Sequence, residues 1–253
     1  MFAKHFAVAA LSTAILAAPL SLPAAAQEES VFTPQQAEEV RKLVRQFLMD
    51  NPEVVYEALE ALQEKQILAA EEAAQKALEA REEAIFHDPA SPVAGNLQGD
   101  VTIVEFFDYR CTYCKTVVDR LLDTAKADGN IRVVFKELPI LGPDSVVAAR
   151  AALAAAEQDK YLPFHTALMK LRGPVNEQSI FKTAKEVGLD VDKLKADMEK
   201  PEIEAQIRAN YELARDLNIT GTPAFIIGDR IIPGAVDQNT LKQLVEQARK
   251  PKS

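Results

Sequence analysis

Cys111 and Cys114 are the only cysteines in a chain of 253 residues. They follow an apolar run, Val101-Thr102-Ile103-Val104-Glu105-Phe106-Phe107, and precede a stretch with Val118, Leu121, Leu122 and Ala125 on one helical face. A Cys-x-x-Cys pair at such a junction leaves few folds open, because a strand has to end where a helix begins. It restricts the chemistry as well. Thiol–disulfide exchange needs an accessible thiolate and a second thiol close enough to resolve the mixed disulfide. A helix N-terminus favours a thiolate through its free N–H groups and its dipole. Cys111 is therefore expected to be the nucleophile. Cys114, one turn further into the helix, is expected to be the resolving thiol.

Other uses of the pair fit less well. A zinc site usually takes four ligands, and a second cysteine pair is missing. His87 and His165 stand at no ligand spacing from the cysteines. Cu(I) suits soft sulfur, but no Met or His flanks the pair. A purely structural disulfide would close too short a loop to restrain the unfolded chain much. The dithiol reading requires no metal and no cofactor. His165, between Phe164 and Leu168, is expected to be a surface or partly satisfied helix residue.

The compartment follows from the N-terminus. Met1 to His5 supplies a short basic start, and Phe6 through Leu22 an apolar core broken by Pro19. Ala24-Ala25-Ala26 offers a small-residue cleavage site before Gln27. Residues 1–26 are expected to be a cleaved signal peptide, the core being short for a membrane span. Export would place the cysteines in an oxidising space, and a bacterial periplasm fits best. The net charge of −9, with acids and bases interspersed and Trp absent, argues against nucleic-acid binding.

Residues 27–86 read as an N-terminal helical segment. Thr33-Pro34 opens a helix, and Val40, Leu43, Val44, Phe47 and Leu48 form one apolar stripe. Asn51-Pro52 breaks it. A second helix carries Val55, Leu59, Leu62 and Ile67, then runs into an Ala/Glu/Gln/Lys-rich spacer from Leu68 to Ala84. Such a segment cannot build a core alone. Residues 34–67 are expected to pair between copies, making a homo-oligomer.

A Pro/Gly/Ser/Asn-rich boundary follows from His87, and residues 87–253 read as the main domain. The expected order is a strand over Val101–Phe107, a helix over Lys115–Ala127 and a strand over Ile131–Leu138. An all-helical stretch at about 144–217 comes next. A hairpin of Ala224–Ile227 and Arg230–Ile232 joined at Gly228-Asp229, and a helix capped by Asp237, close the chain.

The chain resembles DsbA-type thiol–disulfide oxidoreductases of the thioredoxin superfamily. The resemblance rests on Phe106-Phe107-Asp108-Tyr109 before Cys111-Thr112-Tyr113-Cys114, on the helical insert, and on Gly221-Thr222-Pro223-Ala224-Phe225 ahead of the hairpin. More narrowly it is similar to the ScsC-like branch, through Val44-Arg45-Gln46-Phe47-Leu48-Met49-Asp50-Asn51-Pro52. The resemblance implies an α/β thioredoxin fold with a helical insert, preceded by an oligomerisation segment. It implies a cis Thr222-Pro223 bond against the thiols, where Thr222 and Pro223 would hold substrate backbone. It places Glu105 beneath the resolving thiol as a proton carrier. Lys136, at the end of the next strand, is a candidate neighbour of the same acid, with a solvated strand-end Lys as the other reading. Implied partners are misoxidised or unfolded exported proteins and a membrane redox partner. Oligomeric relatives tend to act as isomerases and monomeric ones as oxidases. The best-known oxidases have Pro-His where this chain has Thr112-Tyr113, so a cationic ring is missing beside the thiol. A dithiol oxidase and a copper-tolerance protein using the same thiolates are the alternatives.

Overall fold

The structure, a computed structural model, describes residues 32–250. The expected signal peptide, 1–26, lies outside them. Two helices come first, α1 (Pro34–Asp50) and α2 (Glu53–Ala80). Thr33 caps α1 in a capping box with Gln36, and the Asn51-Pro52 break separates the two. Backbone contacts divide the chain after Glu60, inside α2.

In the first unit α1 buries none of its residues. Leu43 is 72% exposed, Phe47 52% and, in the start of α2, Leu59 60%. The apolar stripe read from the sequence is present as a helix face left exposed by the described residues of this unit.

The second unit, from Ala61, holds everything else. After α2, a single π turn (Glu83–His87) leads to β1 (Val93–Gly95), β2 (Val101–Phe107), α3 (Thr112–Asp128) and β3 (Ile131–Glu137). The insert follows as α4 (Pro143–Ala155), α5 (Tyr161–Met169), α6 (Glu177–Glu186), α7 (Val191–Met198) and α8 (Pro201–Asp216). Then come β4 (Ala224–Ile227), β5 (Arg230–Pro233) and α9 (Gln238–Ala248), capped by Asp237.

The strands form one sheet in the order β1-β3-β2-β4-β5. β2 and β3 run parallel through the α3 crossover, and the other pairs are antiparallel. β1 was not expected. It lies within the Pro/Gly-rich boundary and is three residues long, too short for a periodic signal.

Successive strand residues point to opposite faces, and the core divides accordingly. Ile103, Phe107, Val133, Phe135 and Phe225 pack with α3, the insert and α9. Val104, Phe106, Val134, Leu138 and Ile226 pack with the end of α8 and with Leu78 and Ile85. Leu78 belongs to the last turns of α2, so the stretch read as a polar spacer contributes to the core.

Candidate active site

β2 ends at Phe107, and a short turn delivers Cys111 to the start of α3. The turn is set by Asp108, which is buried. Its Oδ1 accepts from the Arg110 N–H at 2.7 Å and the Ser145 hydroxyl at 2.8 Å, and its Oδ2 from the Leu141 N–H at 2.9 Å. Arg110 Nη1 in turn donates to the Leu141 carbonyl at 2.6 Å. These bonds bring the 139–142 loop beside the cysteine turn. Gly142 is required there: its φ is +117°, and a side chain would meet the Arg110 guanidinium. Ile140, Leu141 and Tyr113, all exposed, give this rim an apolar character.

Cys111 is the N-cap of α3. Its sulfur accepts from the Cys114 N–H at 3.3 Å and lies 3.2 Å from the Thr222 carbonyl oxygen. A thiolate in the N-cap position satisfies helix N–H groups left without a partner, as a Ser or Asp oxygen would. The hydrogen bond from the Cys114 side chain lowers the Cys111 pKa most, and the Thr222 side chain and the first backbone N–H groups of α3 add to it. Together they outweigh burial and bring it to about 6. Cys114 is fully buried, and its thiol is pushed far up by that burial, by the bond it gives to Cys111 and by the charge of Glu105. Both cysteines are free thiols. The pair is thus divided into a sulfur favoured as an anion, 5% exposed at the start of the helix, and a fully buried thiol that keeps its proton.

Glu105 faces the same side of the sheet as Ile103 and Phe107, toward α3. It is buried, and neither carboxyl oxygen has a hydrogen-bond partner among the described residues. Burial, with a contribution from Cys111, raises its pKa to about 8. Thr222-Pro223 is a cis peptide, and the Pro223 carbonyl accepts from the Gly234 N–H at 2.8 Å. Thr112 and Tyr113 are exposed between the cysteines, Tyr113 to 68%.

Lys136 is not brought near Glu105. It pairs with Phe106 across β2 and β3 and so points to the opposite face of the sheet. There its Nζ donates to the Ala84 carbonyl at 2.7 Å, to Asp88 Oδ2 at 2.9 Å and to the Ser91 hydroxyl at 2.7 Å. That is a complete set for an ammonium group, and it ties the π turn to β3.

The residue on the Glu105 face is the next one, Glu137. Its Oε1 accepts from the Tyr109 and Tyr161 hydroxyls, each at 3.0 Å. Tyr109 also meets His165 Nδ1 at 3.0 Å. His165 is fully buried rather than at the surface, because α5 turns it inward against Phe107 and Phe135. Burial lowers its pKa to about 3, and burial raises that of Glu137. Tyr109 is thereby anchored two residues before the nucleophile. Strand parity pointed to position 137, and a Glu beside a Lys gave no other signal.

A strand-to-helix dithiol facing a cis-proline loop across this sheet defines a thioredoxin-like fold of the disulfide-exchange class. The model of the DSBA-like thioredoxin domain matches residues 102–246, more than half of the chain, and the chain belongs to that family. DsbA-like relatives are thiol–disulfide oxidoreductases. A thioredoxin-like oxidoreductase from Silicibacter pomeroyi is 48% identical, the match covering 67% of this chain and 98% of that one with a TM-score of 0.66. ScsC from Proteus mirabilis is 35% identical over 86% of this chain and 98% of its own, with a TM-score of 0.64. Disulfide bond formation protein D of Bacillus subtilis is 26% identical over 176 residues, covering 64% of this chain and 78% of that protein. A Na(+)/H(+) antiporter NhaA of Herminiimonas arsenicoxydans is matched over only part of its sequence, and the chain spans 27% of its length. No helix among the described residues is long and apolar enough to cross a membrane.

Proposed function

We propose that this protein is a periplasmic protein-disulfide isomerase and reductase that works as an oligomer. The observation that carries the chemistry is the split between the two thiols, one stabilised as an anion at a helix N-terminus and the other buried and neutral. Cys111 thiolate attacks a substrate disulfide. The Cys111–substrate S–S bond forms, the substrate S–S bond breaks, and the electron pair leaves on the second substrate sulfur. The Thr222 and Pro223 loop holds the substrate backbone across from the thiol. Resolution needs Cys114 to lose its proton. Once Cys111 is in a mixed disulfide, its charge no longer raises Glu105 and its sulfur no longer holds the Cys114 hydrogen. Glu105 then takes the Cys114 proton and Cys114 attacks Cys111: the Cys111–Cys114 S–S bond forms, the Cys111–substrate S–S bond breaks, and the electron pair leaves on the substrate sulfur as a thiolate, which is protonated by solvent.

Isomerisation rather than oxidation is favoured by the uncovered apolar residues of the first unit, which suit pairing between copies. The match to ScsC supports this, since it extends over 86% of the chain while the ScsC catalytic domain alone covers 69%. Location in the periplasm is supported by the signal-like N-terminus and by a periplasmic thioredoxin-like relative in Salmonella enterica, 35% identical. Its partners would be misoxidised exported proteins and a membrane reductant.

The test is refolding of a protein with scrambled disulfides, by the reduced full-length chain and by a version beginning at Ala61. That start retains Leu78 and Ile85, which a cut at residue 86 would remove from the core. Rescue by the full-length oligomer and its loss in a monomeric, still thiol-reactive shortened form is the expected result. Equal rescue by both, or net oxidation of a reduced substrate as the sole activity, would refute it.

A further inference from the structure

The cis-proline loop has two sides. One carries the Thr222 carbonyl that faces Cys111. Against the other lies a cleft of about 410 Å³. Its floor and walls are mostly apolar and include Ile219, Pro223, Ile231 and Pro233. One wall comes from elsewhere in the chain: Glu71 and Ala74, on the later turns of α2. Among the described residues Glu71 is the only charged one lining the cleft and is exposed, whereas Ala74 is buried. Leu78, one turn beyond Ala74, fixes this part of the helix in the core beside Leu217 and Ile219. Space is left at Gly221 and Gly234, where a side chain would meet nothing within 4 Å.

We propose that this cleft is a substrate subsite, and that α2 supplies its specificity-determining wall. The occupant is the polypeptide whose cysteine reacts with Cys111, held by an apolar residue near that cysteine and favoured when a Lys or Arg lies beside it. The inference rests on the exchange reaction proposed above. Three observations support it. Thr222 belongs both to the thiol site and to the cleft, so a strand lying along this loop passes from one to the other. Successive side chains of an extended strand alternate in direction, so a chain with its cysteine over Cys111 presents neighbouring side chains to the far side of the loop. The lining then sets the preference: apolar walls for an apolar side chain, and one carboxylate at the rim for a cation. The helix beyond residue 68 is therefore part of the recognition surface in addition to being a spacer.

The test uses the full-length reduced protein and three disulfide substrates. Two are peptide disulfides with a leucine beside the cysteine, differing only in a neighbouring Lys or Asp. The third is bis(2-hydroxyethyl) disulfide, neutral and too small to reach the cleft. The initial rate of mixed-disulfide formation is measured for wild type, Glu71→Gln and Glu71→Lys. Wild type is expected to prefer the Lys peptide about fivefold at low salt, as a rim charge allows. Glu71→Gln should level the two peptides and Glu71→Lys invert them, with the small disulfide unchanged throughout. A fourth protein, Ala74→Gln, narrows the cleft and should slow both leucine peptides without affecting the small disulfide. Equal peptide rates in every variant, with the small disulfide still reacting, would overturn the subsite and leave the exchange reaction standing. No reaction with the small disulfide in wild type would overturn both.

Discussion

Cys111 reaches its function by taking a helix cap position that other proteins give to an oxygen side chain. The consequence is measurable in pH. Its alkylation rate by iodoacetamide should rise through about pH 6 and be level by pH 8, where an unperturbed thiol, with a pKa of about 8.5, would still be climbing. Linkage gives the sign for stability. The folded pKa is depressed, so the reduced protein gains stability that is fully present above the unfolded thiol pKa and is lost as pH falls through about 6. A Cys111→Ser protein should lack that loss, as followed by urea midpoints between pH 5 and 9. Glu105 makes a separate prediction. Glu105→Gln should leave the attack step almost untouched and slow resolution by a factor on the order of 10², so that mixed disulfides accumulate. Resolution at the wild-type rate would remove Glu105 from the proton path. Lys136 was the misreading of the sequence in this region. The pattern Phe135-Lys136-Glu137 shows a charged pair but not which member shares a face with Glu105. Counting alternation from Phe107 through the parallel register with β3 would have chosen Glu137.

At the scale of elements, β2, α3, β3, the hairpin and α9 were legible because each has a strong period or an unambiguous stop. Phe106-Phe107 before the cysteines, Gly129-Asn130 between α3 and β3, and Gly228-Asp229 in the hairpin are such signals. The end of α2 was not legible. From Leu68 to Ala84 the large apolar residues are few, and composition alone reads as a solvated spacer. Yet Leu78 is 5% exposed and Ile85 is fully buried, both under the sheet. Burial here depends on which helix face meets α8 and β4, a tertiary fact that a sparse stripe does not announce. Leu78→Ala should cost about 2–4 kcal/mol of stability, within the range for emptying a buried leucine site. Leu68→Ala, in the same helix but 59% exposed, should cost less than about 0.5 kcal/mol. Urea denaturation of both variants would check the contrast, and equal losses would mean that α2 does not seal this face.

For the whole molecule, the decisive prediction concerns mass. The full-length protein should be oligomeric at micromolar concentration, and substitution of Leu43 and Phe47 by Gln should yield monomers with intact dithiol reactivity. Light scattering reads the mass, and the iodoacetamide rate reads the thiol. A wild-type monomer would remove the basis for isomerase action. The antiparallel pairing of β2 with β4 has a different implication. Ile103 is opposite Ile227, and Phe106 opposite Ala224, so the middle of the sheet joins segments far apart in sequence. The Thr222 that faces Cys111 arrives with the second of them. A chain is synthesised from its N-terminus, so the thiol pair emerges long before its opposing loop does. Until β4 has emerged and paired, the two cysteines cannot share the completed groove, and the nascent chain is more a client for disulfide chemistry than an agent of it. Catalytic competence therefore comes late in the protein's own biogenesis.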